Sequence, residues 1–312
     1  MATQRLSTLL AATAPLVVDG AMATELEKLG VDTANDLWSA TALLTHPEAV
    51  AQVHRNYFEA GANLAITNTY QANVSAFLAH GFTAQESENI VKKAVHIAVT
   101  ERDRYMERHP GAKVAVAASI GPYGAYLADG SEYTGAYNLP DATYREFHRQ
   151  RIALADAAGA DCFAFETMPN ADEIHALVGL LADEFPESQA WFSFSVKDPH
   201  HLADGTPLAE LISALNTADQ VLALGVNCLA QQLVEPALNH LRSLTEKPLV
   251  AYPNSGESYD PATKTWHPAG AGASFALNTS VWVEAGARLI GGCCRTTPQD
   301  IAEVSRAVRN LQ

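Results

Sequence analysis

Positive charge, cysteine and long apolar runs are all scarce in this sequence. Lys and Arg number 20 against 35 Asp and Glu, a net charge of −15. Nonspecific binding of nucleic acid or of an anionic membrane needs a basic face, so this balance speaks against both. No stretch approaches the ~20 apolar residues of a membrane span. The opening run MATQRLSTLLAATAPLVVDGAM has one Arg and a broken apolar stretch. It predicts a short helix leading into a strand, not a secretory leader, and the expected address is cytoplasmic.

There are only four cysteines, Cys162, Cys228, Cys293 and Cys294, and no C-x-x-C. In a cytosolic chain, cysteines are more often free, metal-bound or catalytic than bridged. No G-x-G-x-x-G follows the first apolar run, so the usual dinucleotide-binding fold has no support. None of the eleven histidines, His267 included, stands in an H-x-H or H-E-x-x-H pattern. They are not assigned to a metal.

What remains is an ordinary globular composition, 48% hydrophobic and 18% charged. Length alone suggests about two domains, but α/β barrels of ~250 residues or more fold as one. Eight short apolar runs bounded by Gly, Pro or Asn read as strands. They are Leu16–Gly20, Leu64–Tyr70, Val114–Pro122, Asp161–Pro169, Ala190–Val196, Val221–Cys228, Leu249–Gly256 and Arg288–Cys294. Their nearly continuous apolar character suits strands buried on both faces.

Helical patterns fill most gaps: Pro47–Ala60, Ala84–Arg108, Asp141–Ala158, Ala171–Phe185, Leu208–Thr217, Gln231–Leu244 and Ser274–Ala285. A helix–Gly–Ala–strand join recurs at Gly61, Gly159 and Gly286, where each Gly predicts a helix C-cap. Strands and helices alternating eight times predict an α/β fold, a single (β/α)8 TIM barrel over residues 1–312. The runner-up is a doubly wound open sheet. Two long loops, Gly121–Pro140 and Gly256–Ala273, follow strands. Both are placed at the barrel's C-terminal mouth, where such folds keep their active sites, and both are lid candidates.

Cys228 closes the sixth run, and Cys293 and Cys294 close the eighth. All three are therefore expected at the mouth, with Cys162 inside the fourth strand. Three converging thiols can form a tetrahedral Zn²⁺ site with one open position, the mark of a catalytic zinc. Gly291 and Gly292 are expected to let the backbone turn so that two adjacent side chains reach one ion. A buried cysteine acting only as a small hydrophobe is the other reading. A bridge between Cys293 and Cys294 would close a strained ring.

Three separated segments carry a resemblance. DGAMATEL (Asp19–Leu26), GVNC (Gly225–Cys228) and GGCCRTTP (Gly291–Pro298) together resemble the homocysteine S-methyltransferase family. GPYGAYLADGSEYTGAY (Gly121–Tyr137) and YPNSGE (Tyr252–Glu257) add to it. The resemblance covers nearly the whole chain and is strongest to the single-domain bacterial and plant enzymes that use S-methylmethionine or S-adenosylmethionine. It implies a zinc-dependent (β/α)8 barrel whose ligands and catalytic residues are Cys228, Cys293 and Cys294. The implied reaction moves a methyl group from a sulfonium donor to L-homocysteine, giving methionine. Three protein thiolates and one substrate thiolate give a formal site charge of −2, which leaves the substrate sulfur electron-rich and attracts a cationic donor.

Asp19 and Glu166 end strands one and four, and either can grip the ammonium of an amino acid. The resemblance supports both in homocysteine binding, although a strand-end carboxylate is also a routine helix N-cap. Backbone N–H groups at Gly20 and Ala21 are candidates for the substrate carboxylate. Thr67, Thr69 and Asn227 are weaker candidates, because polar residues there also satisfy backbone groups. Tyr123, Tyr126, Tyr133 and Tyr137 form either an aromatic wall for the sulfonium or simple loop packing.

Several rivals stay open. A selenol can replace the thiol acceptor, and betaine can replace the sulfonium; folate is the least expected donor. Lys197 could serve a Schiff-base aldolase. Gly291-Gly292 could hold a phosphate. The chain could be a non-enzymatic zinc-binding protein. It is expected to be a monomer or a homodimer.

Overall fold

The computed structural model describes residues 5–12, 14–33, 38–260, 265–268 and 274–311. Eight parallel strands form one sheet: β1 (Leu16–Val17), β2 (Leu64–Ile66), β3 (Ala115–Ile120), β4 (Cys162–Met168), β5 (Ala190–Phe194), β6 (Val221–Asn227), β7 (Leu249–Tyr252) and β8 (Ala287–Ile290). Their order around the sheet is β1-β8-β7-β6-β5-β4-β3-β2. A parallel bridge from Val18 to Leu64 joins the two ends. The ring is thereby closed, as the eight-run pattern predicts, and the open doubly wound sheet is set aside.

Helices return the chain between strands: α1 (Met22–Lys28), α2 (Pro47–Ala60), α3 (Ala84–Arg108), α4 (Asp141–Ala157), α5 (Ala171–Glu184), α6 (Leu208–Asn216), α7 (Val234–Arg242), α8 (Phe275–Glu284) and α9 (Pro298–Asn310). Local sequence accounts for their ends. Thr83 and Glu86 form a capping box that starts α3, and Thr297 and Asp300 form another at α9. The recurring Gly-Ala joins stop α2, α4 and α8 at left-handed glycines, Gly61, Gly159 and Gly286.

Side-chain alternation along each strand divides the core in two. Leu16, Val18, Ala117, Ala164, Trp191 and Leu289 point into the barrel. Phe163, Phe165 and Phe192 point outward against the helices, with Phe165 and Phe192 stacked at 4.5 Å. A short helix, Leu6–Leu10, buries Leu6 and Leu9 in the same interior cluster. It lies at the N-terminal end of the strands, where Ser7 bonds Gln189 just before β5. Large and small residues share the interior, and Cys162, 1% exposed, is one of the small ones. It opens β4 and packs in the interior, as expected of a cysteine inside the fourth run. The same alternation that turns Cys162 and Ala164 inward carries Glu166 to the mouth on the same face.

The strands are shorter than the apolar runs. The fifth run divides: β5 stops at Phe194, and Val196–Asp198 pairs with His201–Leu202 in a small hairpin. Lys197 stands on that hairpin, exposed. A second hairpin, Glu257–Asp260 with Thr265–Pro268, lies in the long loop after β7. Residues 261–264 and 269–273 of that loop, and the His267 side chain, lie outside the described residues. The eighth run also divides, with β8 ending at Ile290 and Gly291–Cys294 leaving the strand. That departure builds the site.

Candidate metal centre and substrate pocket

The thiol cluster depends on two strand ends meeting a third. Beyond β8, the Gly291 N–H donates to Ala251 O and the Gly292 N–H to Asp19 O. The Cys293 N–H then donates to Pro253 O at 2.7 Å, and the Cys294 N–H to Asn254 Oδ1 at 3.1 Å. Thr296 Oγ1 donates to Cys293 O at 2.6 Å. Four hydrogen bonds thus hold the turn against the end of β1 and the β7 segment, and the Thr296 bond closes it on itself.

The glycines do a different job from the one expected. Neither Gly291 nor Gly292 has a left-handed φ. They are needed for space. A Cβ on Gly291 would lie 2.5 Å from Val18 O, and one on Gly292 would lie 2.4 Å from Thr296 Oγ1. The left-handed residues are instead Cys228, with φ 54°, and Arg295, with φ 65°. A cysteine held there stores ~1–3 kcal/mol of backbone strain. The surrounding structure holds Cys228 in place, with its N–H bonded to Tyr252 O.

The three sulfurs lie within 4.8 Å of one another, and Cys228 and Cys294 are 3.6 Å apart. Tetrahedral zinc with Zn–S distances of about 2.3 Å would place its sulfurs about 3.8 Å apart. All four cysteines are free. The donor set and its spacing therefore fit a metal ion. Without one, three such close thiols cannot all ionise. Hydrogen bonds from Cys293 and Cys294 push the Cys228 thiol well below its usual range. Donating to Cys228 pushes both partners up.

The sulfurs open onto a cavity of about 190 Å³ lined by Asp19, Gly20, Thr67, Glu132, Tyr133, Glu166 and Asn227, among others. Its described lining carries four carboxyls, Asp19, Glu27, Glu132 and Glu166, against one guanidinium, Arg295. Asp19 Oδ2 accepts the Ile66 N–H at 2.9 Å. It does not cap α1, whose N-cap is Ala21 with no side-chain bond. Glu166 accepts from Ser119 Oγ, and the helix after it is capped by Asn170 instead. Neither carboxylate is an N-cap. Burial raises Asp19 well above the usual carboxylate range against the Ile66 bond, and Glu166 adds to the rise. Burial pushes Glu166 up to about 7, opposed by its bonds from Ser119 and Tyr252. Burial also pushes Glu132 up to about 7, with Cys228 adding to the rise.

The other expected residues divide by role. Asn227 bridges two strands, accepting the Thr167 N–H at 2.7 Å and donating to Thr167 Oγ1 at 2.9 Å. The same amide reaches 3.9 Å from Cys293 Sγ. Thr67 lines the cavity and accepts the Ser119 N–H. Thr69 donates to Ser119 O and shares a 2.6 Å bond with the Thr67 hydroxyl, so it supports Thr67 from behind. The Ala21 N–H already donates to Thr296 Oγ1. The Gly20 N–H has no partner among the described residues. Of the four tyrosines, only Tyr133 lines the cavity, its hydroxyl 3.6 Å from Cys228 Sγ. Tyr123, Tyr126 and Tyr137 pack against one another and Phe147, so an aromatic wall of four is not formed.

Sequence reasoning passed over Glu132, Tyr70 and Thr167. Glu132 follows a D-G turn and reads as a solvated loop charge, but it is buried. Thr167 has φ 58°, rare for a β-branched residue. That strain depends on the Asn227 bridge from another strand, which no local pattern announces.

The fold and site define a class: a (β/α)8 barrel with a three-cysteine site, able to hold a metal, at its C-terminal mouth. Residues 16–308 match the family model for homocysteine S-methyltransferase, and the chain belongs to that family. Homocysteine S-methyltransferase of Escherichia coli K12 is 50% identical over 92% of this chain and 93% of its own. Homocysteine S-methyltransferase YbgG of Bacillus subtilis is 48% identical over 96% of each. The metallated form of the homocysteine methyltransferase MmuM from Escherichia coli superposes with a TM-score of 0.89 at 46% identity. That match covers 96% of this chain and 99% of MmuM.

Replacing Cys228, Cys293 or Cys294 with Ala is expected to abolish stoichiometric metal binding, because each would supply one of three sulfur ligands. Cys162→Ala is expected to keep it. Metal per chain, measured by plasma mass spectrometry after dialysis, checks this; wild-type content in Cys228→Ala would contradict the assignment.

Proposed function

We propose that this protein transfers a methyl group from a sulfonium donor to L-homocysteine, giving methionine, with zinc held by Cys228, Cys293 and Cys294. The observation that carries the reading is three converging sulfurs opening onto a cavity with buried carboxylates, in a chain of this family. S-methylmethionine is the first donor and S-adenosylmethionine the second. Thiolate donors suit zinc among the common metals. Bound there, zinc supplies the charge that lets a thiol substrate be held as its thiolate at neutral pH.

The chain's own residues bind and orient. Asp19 and Glu166 take the α-ammonium of homocysteine, which supplies the positive partner that neither buried carboxyl has. Of the two backbone donors expected for the substrate carboxylate, the Gly20 N–H is the one still open. Thr67 and Asn227 stand behind these groups and fix the strand ends. Tyr133 covers Cys228 from the lid side and keeps water from the reacting sulfur. Methyl transfer is an in-line displacement, so alignment supplies most of the rate and no general base is needed.

The same reading takes residues 1–312 as one homocysteine-binding barrel in the cytoplasm, a monomer or homodimer. Three unbridged thiols so close together suit a reducing compartment. No described helix is long and apolar enough to cross a membrane. The Schiff-base alternative has no support, because Lys197 is exposed on its hairpin and does not line the cavity.

The test is methionine formation by zinc-loaded, reduced protein from homocysteine with S-methylmethionine, S-adenosylmethionine or betaine in turn. The highest kcat/KM is expected with S-methylmethionine. No methionine from any sulfonium would overturn the reading. A second prediction concerns pH. Glu166 is neutral below its raised pKa of about 7, so it pairs with an ammonium only above it. Binding of methionine, which has no thiol proton to lose, is expected to tighten as pH rises through about 7. Glu166→Gln is expected to lose that step, and calorimetry at pH 6 and 8 decides. A pH step unchanged in the variant would remove Glu166 from ammonium binding.

A further inference from the structure

One buried carboxylate of the cavity has no task in the reaction as described above. Glu132 belongs to the short turn Ser131–Tyr133 in the loop after β3. It is 8% exposed and lines the same cavity as Cys228, Cys294 and Glu166. Its Oε2 is buried and has no hydrogen-bond partner. A native fold rarely leaves a carboxylate oxygen so placed, because an unpaired buried acceptor costs free energy.

The loop is built to hold it there. Gly124 packs so closely that a Cβ would sit 2.7 Å from the Glu132 nitrogen. Asp129 Oδ1 accepts the Ser131 N–H at 3.0 Å, and the Gly135 N–H donates to Ser131 O at 2.8 Å. Both ends of the loop are tied to one buried residue: Glu173 accepts from the Tyr123 N–H at 2.6 Å and from the Tyr137 hydroxyl at 2.5 Å. Asp19 and Glu166 rise from the strand ends, whereas Glu132 enters from this loop, beside Tyr133.

An amino-acid sulfonium brings two positive charges. The sulfonium charge disappears as the methyl leaves, so a carboxylate aimed at it would stabilise the ground state most and slow the step. The α-ammonium keeps its charge throughout. A carboxylate on it binds ground and transition states alike, which lowers the donor KM and leaves kcat alone. We propose that Glu132 is the donor-recognition residue, its free carboxylate oxygen pairing with the α-ammonium of an amino-acid sulfonium while Asp19 and Glu166 hold that of the acceptor. This rests on the methyl-transfer reading, and it makes the protein selective for donors that are themselves amino acids.

Steady-state kinetics of zinc-loaded wild type, Glu132→Gln and Glu132→Asp, with S-methylmethionine and homocysteine varied separately, test it. In Glu132→Gln the donor KM is expected to rise roughly 10- to 100-fold. The homocysteine KM, kcat and metal content should stay within about twofold, as uniform binding requires. Glu132→Asp, which keeps the charge, should recover part of the loss. An unshifted donor KM overturns the proposal, as does equal impairment of the Gln and Asp variants. A rise in kcat together with donor KM would set the carboxylate against the sulfonium and overturn it too. Wild-type protein that makes no methionine from any sulfonium overturns the methyl-transfer reading and this proposal with it. Wild-type turnover with an unshifted Glu132→Gln overturns this proposal alone.

Discussion

The seating of the Gly291–Cys294 turn against the end of β1 is the contact on which the site depends. Gly291 comes within a missing Cβ of the Val18 and Asp19 carbonyls, and the Gly292 N–H bonds Asp19 O. This close approach fixes Cys293 and Cys294 opposite Cys228. It ties the thiol cluster to the backbone of Asp19, whose carboxylate lines the cavity. The parallel pairing of β1 with β8, Leu16 beside Leu289 and Val17 beside Ile290, makes the approach possible. The favourable part is a large apolar interior with residues such as Trp191 and Leu289 fully buried. The unfavourable part is concentrated at the mouth: left-handed Cys228 and Thr167, crowded thiols and buried carboxyls. Strain and unpaired charge gathered in one place mark a site held in a state that suits a ligand better than it suits the empty protein.

Charge gives that site its direction. Asp19, Glu132 and Glu166 are all nearly buried, and burial raises all three. Each would be relieved by a cation. The thiols show the same crowding, since hydrogen bonds from Cys293 and Cys294 lower the Cys228 thiol and donating to it raises both partners. The proposed metal ion and two ammonium-bearing substrates would answer these demands together. The acidity of the whole chain matters less than this local arrangement.

Much of this was legible in the sequence, and the reasons differ by residue. Cys228, Cys293 and Cys294 could be placed because each ends an apolar run, and strand ends in a barrel share one face. Cys162 could be set apart because it lies within a run. Glu166 could be placed because it stands at the end of the fourth run. What stayed hidden depends on contacts between distant segments. Gly291 and Gly292 read as points of flexibility, but they are points of close approach. Glu132 lies in a polar loop whose burial comes from Gly124 and the Glu173 anchor, neither visible in local pattern. The tyrosines share a composition with onium-binding cages, yet Tyr123 and Tyr126 pack on Phe147, and Tyr137 on Tyr123 and Tyr144. Spacing along the chain cannot tell a wall from a support.

The proposed site has three cysteine sulfurs holding one metal ion at the barrel mouth with a position left open. Zinc K-edge absorption of the zinc-loaded, reduced protein without substrate tests it directly. Three sulfur scatterers at about 2.3 Å and one lighter atom are expected. A first shell of four sulfurs, or one dominated by nitrogen, would contradict it.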